Sequence, residues 1–213
     1  TSMTGFRASQ LAEVLRGHKV WVIEDDHCGD ISQTTSESLG RFLPDKCVHI
    51  RSFSKSHGPD LRIAAVGGAA DVIDPLVSRR MLGPGWTSRL LQAVLVDLLT
   101  HDDPQTCIRV ARDRYARRST LVREHLKDRG VSSTPGDGIN TWIPVADERA
   151  ALVTLAASGI RVAPGGPFVV GAPPSYGGGI RVTTGRLTDQ ESDIDSVARA
   201  LAAAANASSG SAR

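Results

Sequence analysis

The chain has 213 residues, 40% of them apolar and 23% charged, with a formal net charge of +2. A chain of this length buries roughly two thirds of its unfolded surface, and its balance of residues excludes disordered and fibrous classes. So small a net charge excludes a surface that attracts nucleic acid as a whole. Cys28, Cys47 and Cys107 are odd in number and lack C-x-x-C spacing, so neither a disulfide framework nor a metal site is expected, and the compartment is expected to be reducing. With no bilayer-length apolar run and no signal-peptide order at the start, the expected location is cytoplasmic.

In chain order, Phe6, Leu11, Val14 and Leu15 recur at helical spacing up to Gly17, a residue suited to ending a helix. Val20 to Ile23 is a short β-favouring run that stops at Glu24, Asp25 and Asp26. The expectation is a buried strand with acids at its C-terminal end, where α/β proteins keep their chemistry. Further strands are expected over Val48 to Phe53 and Ile63 to Gly67, with the polar loop Ser54 to Asp60 after the first of them. Helices are expected over Val72 to Met81, Ser88 to Leu99, and Pro104 to about Arg129. The arginines of that last helix, Arg109, Arg112, Arg114, Arg117, Arg118 and Arg123, read as its solvated face, opposite Ile108, Ala111, Tyr115, Val122 and Leu126. Beyond Gly130 the pattern becomes strand (Ile139 to Val145), helix (Glu148 to Ala157), strand (Ile160 to Ala163), a Gly/Pro loop (Pro164 to Gly179), strand (Ile180 to Thr183) and helix (Asp189 to Ala204). Asn206 to Arg213 reads as a flexible tail.

Of four lysines, Lys19, Lys46 and Lys127 stand in polar or turn-like surroundings, whereas Lys55 follows the strand ending Ser52-Phe53-Ser54. It precedes Gly58-Pro59-Asp60-Leu61-Arg62, a turn able to return a guanidinium towards the same strand end. Two hydroxyls, an ammonium and a guanidinium together suit a phosphate. A lysine beside positive charge loses its proton more readily, and the neutral amine can form a Schiff base with an aldehyde. The competing reading of these residues is a solvated loop.

Ser52-Phe53-Ser54-Lys55 followed by Pro59-Asp60-Leu61-Arg62 resembles the cofactor-lysine signature of fold type I pyridoxal phosphate (PLP) enzymes of the class I/II aminotransferase type. The likeness is greatest to the aminotransferase-like domain of MocR-type regulators in the GntR family. The resemblance implies that Lys55 carries PLP, that Arg62 binds its phosphate, and that Ser52 and Ser54 supply phosphate-binding hydroxyls. Val22-Ile23-Glu24-Asp25-Asp26-His27 is similar to the segment whose first aspartate pairs with the pyridine nitrogen, which falls on Asp25. A carboxylate there keeps the ring protonated and electron-accepting. His27 stands where the family commonly has a tyrosine at the phenolic oxygen; an imidazole can donate the same hydrogen bond but titrates near neutrality. Gly179-Ile180-Arg181-Val182-Thr183 resembles the strand whose arginine takes the substrate carboxylate, which falls on Arg181, with Arg186 in reserve. Ala163-Pro164-Gly165 with Phe168 resembles the loop before that strand. Gly138 to Trp142 resembles the strand opening the small domain, and Arg112, Tyr115 and Arg118 the basic interdomain helix.

The implied architecture is α/β: the C-terminal part of the PLP-transferase large domain, a mostly parallel sheet with flanking helices, plus a small α+β C-terminal domain. The expected division is 1–103, 104–205 and the tail 206–213. The implied activity is amino-group transfer between an amino acid and a keto acid through Lys55. The alternatives are an effector-sensing PLP domain of a MocR/GntR-type regulator, or an incomplete fragment without activity. The expected partners are that amino acid or keto acid and a second copy in a homodimer. No membrane contact is expected, and no DNA contact by this segment, DNA being the business of the regulators' N-terminal winged helix. Only Thr4 and Gly5 of the opening Thr1-Ser2-Met3-Thr4-Gly5 agree with the family's Asn-Pro-Thr-Gly turn. The resemblance runs from about Thr4 to Leu201, the C-terminal half of the family's domain, so half of the phosphate donors fall outside it.

Overall fold

The computed structural model describes residues 2–35, 37–134, 136–171 and 178–208. Thr1, most of the second half of the Pro164 to Gly179 loop and the last five residues of the expected tail lie outside the described residues. The chain forms two compact units, Ser2–Arg112 and Asp113–Arg213, and the change falls inside a helix.

The first unit opens with α1 (Gly5–Arg16), whose N-cap Thr4 accepts a hydrogen bond from the Arg7 amide at 3.2 Å. Strands β1 (Val22–Asp26), β2 (Cys47–Ser52) and β3 (Ala64–Gly68) form one sheet in the order β1-β2-β3. β1 and β2 run parallel, with Asp25 beside Ile50 and Asp26 beside Arg51; β3 is antiparallel to β2, with Ser52 opposite Ala64. Helices α2 (Ala70–Met81) and α3 (Arg89–Thr100) follow, and α4 (Asp102–Lys127) carries the chain into the second unit. The buried core of the first unit is small: Ala8 and Ala12 of α1 against Leu39, Leu43 and Cys47. Large apolar side chains remain exposed, among them Ile23 and Val66 on the sheet and Leu90 on α3.

The acidic strand differs from its expectation. It begins at Val22, whose amide takes the Lys46 carbonyl at 2.8 Å, and all three acids lie within it. Exposure alternates along it instead of vanishing. The physical reason is on one face: Glu24 and Asp26 find donors on β2 and the loops, so a strand of carboxylates is satisfied without being buried in apolar surroundings.

The second unit packs α4, α5 (Glu148–Ala157) and α6 (Glu191–Ala205) on an antiparallel sheet of order β4-β6-β5, made of β4 (Thr141–Val145), β5 (Ala163–Pro164) and β6 (Gly178–Val182). Val122, Leu126, Ile143, Leu155, Ile180, Ile194 and Leu201 are completely buried there. β5 is shorter than the expected Ile160 to Ala163 because Ile160 is spent on ending α5. Its amide reaches back to the Leu155 carbonyl at 2.9 Å, with Gly159 at φ +73°, a left-handed helix cap. β4 likewise starts two residues late, since the Ile139 carbonyl accepts from the Gly185 amide and the Thr184 hydroxyl.

Candidate functional site

Two separate groups of residues carry the chemistry, one in each unit. In the first unit they gather where the parallel strands β1 and β2 end. Because side chains alternate along a strand, Asp25 projects from the sheet face opposite Glu24 and Asp26, and the register puts Ile50 and Ser52 of β2 on the face of Asp25. Asp25 is 71% exposed and His27 51%, with 3.7 Å between the carboxylate Oδ1 and the ring Nδ1.

The segment from Ser54 to Arg62 is a loop closed at its base, where the Phe53 amide donates to the Ile63 carbonyl at 3.2 Å. This closure returns Arg62 to the end of β2. Within the loop the His57 amide donates to the Phe53 carbonyl at 2.9 Å and the Ser54 amide to the Ser52 hydroxyl at 3.4 Å. Leu61 is buried and pins the far side of the loop. Arg62 takes the left-handed backbone conformation, φ 50° and ψ 36°, the one positive φ outside glycine among the described residues. Such a conformation in a non-glycine residue costs on the order of 1 kcal/mol and is found where the surroundings fix it, often at functional sites. Lys55 and Arg62 are both exposed.

On the sheet face opposite Asp25 lies a group that the sequence alone did not reveal. The Glu24 carboxylate accepts from the Ser38 hydroxyl (2.6 Å), the Leu39 amide (2.7 Å) and stands 3.2 Å from His49 Nδ1. Asp26 lies 3.5 Å from the other ring nitrogen of His49 and pairs with Arg51, which also pairs with Asp30. Asp30 is 3.9 Å from the side chain of His57, itself 1% exposed. Burial opposes the charge on Glu24 and on Asp26, yet the hydrogen bonds from Ser38, Leu39 and His49 on the first, and from Arg51 and the Gly29 amide on the second, hold both below the ordinary carboxylate range. Burial pushes His57 down, with Arg51 acting in the same sense and Asp30 against it. Burial and the neighbouring Glu24 push the Cys47 thiol up to about 11, so it is no nucleophile at neutral pH. Cross-strand partners such as Glu24 and His49 are 25 positions apart, and only the register of β1 against β2 brings them together.

In the second unit Arg181 lies on β6, the central strand of its sheet, between Trp142 of β4 and Ala163 of β5. Ile143 and Ile180 face the core, so Trp142 and Arg181 face away from it. The Arg181 guanidinium lies 4.6 Å from the centre of the Phe168 ring, and its buried Nε has no hydrogen-bond partner among the described residues. No carboxylate pairs with Arg181 among the described residues. Nearby, the Thr183 hydroxyl donates to Asn140 Oδ1 at 3.0 Å. Arg186, in a single 3-10 turn, is exposed.

The remaining arginines of α4 divide by neighbour. Arg118 bonds Asp189 at 2.8 Å and the Gly185 carbonyl at 2.8 Å, fastening α4 to the turn before α6. Among the described residues no group of three or more His, Cys, Asp or Glu could hold a metal ion, and no helix is long and apolar enough to cross a membrane.

The family model for aminotransferase class I and II matches residues 3–201. The vitamin B6 salvage pathway transcriptional repressor PtsJ of Salmonella typhimurium is 35% identical over 192 residues, 89% of this chain and 44% of the repressor. The uncharacterized HTH-type transcriptional regulator YdeF of Bacillus subtilis is 28% identical over 168 residues, 76% of this chain and 35% of that protein. The chain therefore spans less than half the length of these relatives. Among solved structures, Thermus thermophilus aspartate aminotransferase with maleate superposes at a TM-score of 0.80, with 20% identity over 94% of this chain and 52% of the enzyme. LysN, the α-aminoadipate aminotransferase of the same organism, gives 0.76 with 19% identity over 93% and 54%. At that identity the likeness establishes the fold. By sequence and by fold, the chain belongs to the aminotransferase class I and II family, whose cofactor is pyridoxal phosphate.

Proposed function

We propose that the first unit contributes the lysine side of a PLP site, and that the intact protein uses it to exchange an amino group between an amino acid and a keto acid. The observation that carries this reading is the closed loop: Lys55 and Arg62 occupy one loop shut by the Phe53 to Ile63 hydrogen bond, at the sheet end where Asp25 stands. The residues present fit the group. An ammonium, a guanidinium and the hydroxyls of Ser52 and Ser54 match a phosphate and an aldehyde. Asp25, on the face away from the Glu24 and Asp26 network, is placed to meet a cationic ring nitrogen.

In this reading Arg62, Ser52 and Ser54 bind phosphate oxygens. The Asp25 carboxylate accepts a hydrogen bond from the pyridinium N–H and so keeps that proton on the ring. His27 donates to the phenolic oxygen. When bound, the cofactor supplies an electron sink for the Cα of the amino acid. The Lys55 amine, once neutral, takes the proton from that Cα at its Nζ and can return one, the role of a positioned general base. Arg181 binds the ligand carboxylate in the two-pronged geometry a guanidinium favours.

A second reading is favoured by the curated relatives, whose names describe transcriptional regulators. The same site then senses an amino acid or a keto acid for a DNA-binding partner domain, and His27 in place of a tyrosine suits a site tuned for binding over turnover. Both readings include a second copy of the chain as partner.

Titrating the intact protein with PLP tests the shared part. A visible absorption band is expected to saturate with one cofactor per chain and to vanish in Lys55→Ala; a band that survives this substitution defeats the proposal. Adding an amino acid with an excess of a keto acid then separates the two uses. Sustained release of the new keto acid marks the enzyme, and a ligand-dependent change in DNA affinity with less than one turnover marks the regulator.

A further inference from the structure

Among the described residues nothing hydrogen-bonds to the N–H groups of Arg181. Its guanidinium carbon lies over the Phe168 ring, 4.6 Å from the centre, and Phe168 in turn meets the Trp142 indole edge-on, 6.4 Å between centres at 89°. A cation over an aromatic face is attracted through the ring's quadrupole and spends none of its N–H groups on that contact. N–H groups not spent in this way are the ones a carboxylate takes in paired hydrogen bonds. The buried Nε without a partner is the mark of this: it has lost water, and no carboxylate of the described residues replaces the water.

The position of Phe168 is itself fixed. The Glu148 carboxylate, at the start of α5, accepts from the Gly165 amide at 3.1 Å and the Gly166 amide at 2.9 Å, tying down the 3-10 turn Gly166–Phe168. Gly165 and Gly179 have no room for a side chain, because a Cβ on either would run into the Trp142 ring. Trp142 thus lies flat on two glycines, the turn lies against Trp142, and Phe168 is delivered over Arg181. Phe168 remains half exposed and contributes little to the core, so core packing does not account for its place.

We infer that Phe168, latched by Glu148, is a positioning residue that holds the Arg181 guanidinium in place for carboxylate recognition. The inference rests on the reading of Arg181 as the carboxylate-binding residue. It assigns to the Phe168 ring the task that a second carboxylate would perform in an ordinary buried ion pair, without the competition that such a carboxylate would bring.

The test compares two probes on the full-length protein: N-(5'-phosphopyridoxyl)-L-leucine and the same adduct made with 3-methylbutylamine, which lacks the carboxylate. The ratio of their dissociation constants reads the carboxylate contact alone. Arg181→Gln is expected to abolish the preference for the leucine adduct. Phe168→Leu is expected to reduce it about tenfold, and Phe168→Tyr to keep it, since the ring face is retained. The amine adduct should bind all variants alike. If Arg181→Gln leaves the preference intact, the reading of Arg181 fails and the inference with it. If Arg181→Gln abolishes the preference while Phe168→Leu retains it, or if Phe168→Leu weakens both probes equally, the reading of Arg181 stands and the role given to Phe168 is overturned.

Discussion

The Glu24 carboxylate and the Nδ1 of His49 stand 3.2 Å apart on neighbouring parallel strands, on the face of the sheet turned away from Asp25. Glu24 is also capped by a hydroxyl and an amide and is 14% exposed as a side chain, so it is a fixed anion on that face of the sheet. Its folded state keeps the charge to a lower pH than the unfolded chain does.

A pH dependence follows. Glu24 and Asp26 are both held below their ordinary values of 4.5 and 3.8, so the unfolded chain takes up these protons first as pH falls. Their contribution is fully present above the ordinary values and is lost as the pH drops through the folded ones. His57 acts in the same direction from higher up. Held below its ordinary value of 6.5 by burial, it stays neutral while the unfolded imidazole protonates, so stability declines from about pH 6.5 downward. Thermal melts between pH 8 and pH 3.5 should show a first decline in the histidine range and a steeper one in the carboxylate range. His57→Leu should flatten the first and leave the second.

Glu24→Gln at neutral pH removes a charge-assisted acceptor from three donors and should cost about 1.5–3 kcal/mol. Urea unfolding followed by circular dichroism measures it. A change below about 0.5 kcal/mol would show that the network contributes no net stability.

The glycines under Trp142 give a steric prediction. Gly179→Ala places a methyl group inside the indole and should cost on the order of 1–3 kcal/mol through overpacking. Gly17→Ala, where a Cβ meets nothing within 4 Å and the backbone is right-handed, should be neutral or slightly stabilising. The difference in melting temperature between the two variants is the readout.

Three hydroxyls form a buried chain between α4, β4 and the turn after β6: Ser119 to Thr141 at 3.2 Å and Thr141 to Thr184 at 3.3 Å. Thr141→Val keeps the shape but strands the Ser119 hydroxyl, while Thr184 keeps its bond to the Ile139 carbonyl, with an expected loss of about 1–3 kcal/mol. In the double variant Thr141→Val with Ser119→Ala the loss should be partly recovered, which a double-mutant cycle by chemical denaturation would show.

The elements of this fold were legible where local chemistry decides them. α1, α2, α3 and α5 were readable from periodicity and from end signals such as Gly17, because a helix is set by neighbours in the chain. The strand of acids was misplaced by two residues for the opposite reason. Whether Glu24 and Asp26 can remain within a strand depends on His49 and Arg51, and nothing near Glu24 in the sequence announces them. Lys55 was singled out because the loop's hydroxyls, proline and arginine are close in sequence. The latch of Glu148 on Gly165 and Gly166 was not, since a glutamate in the first turn of a helix reads equally as a partner for the helix's own amides.

The assignment of the cofactor to the β2–β3 loop is tested most directly by borohydride reduction of the intact, PLP-loaded protein followed by peptide mapping. The phosphopyridoxyl label is predicted on Lys55. A label on Lys19, Lys46 or Lys127 instead would contradict the site.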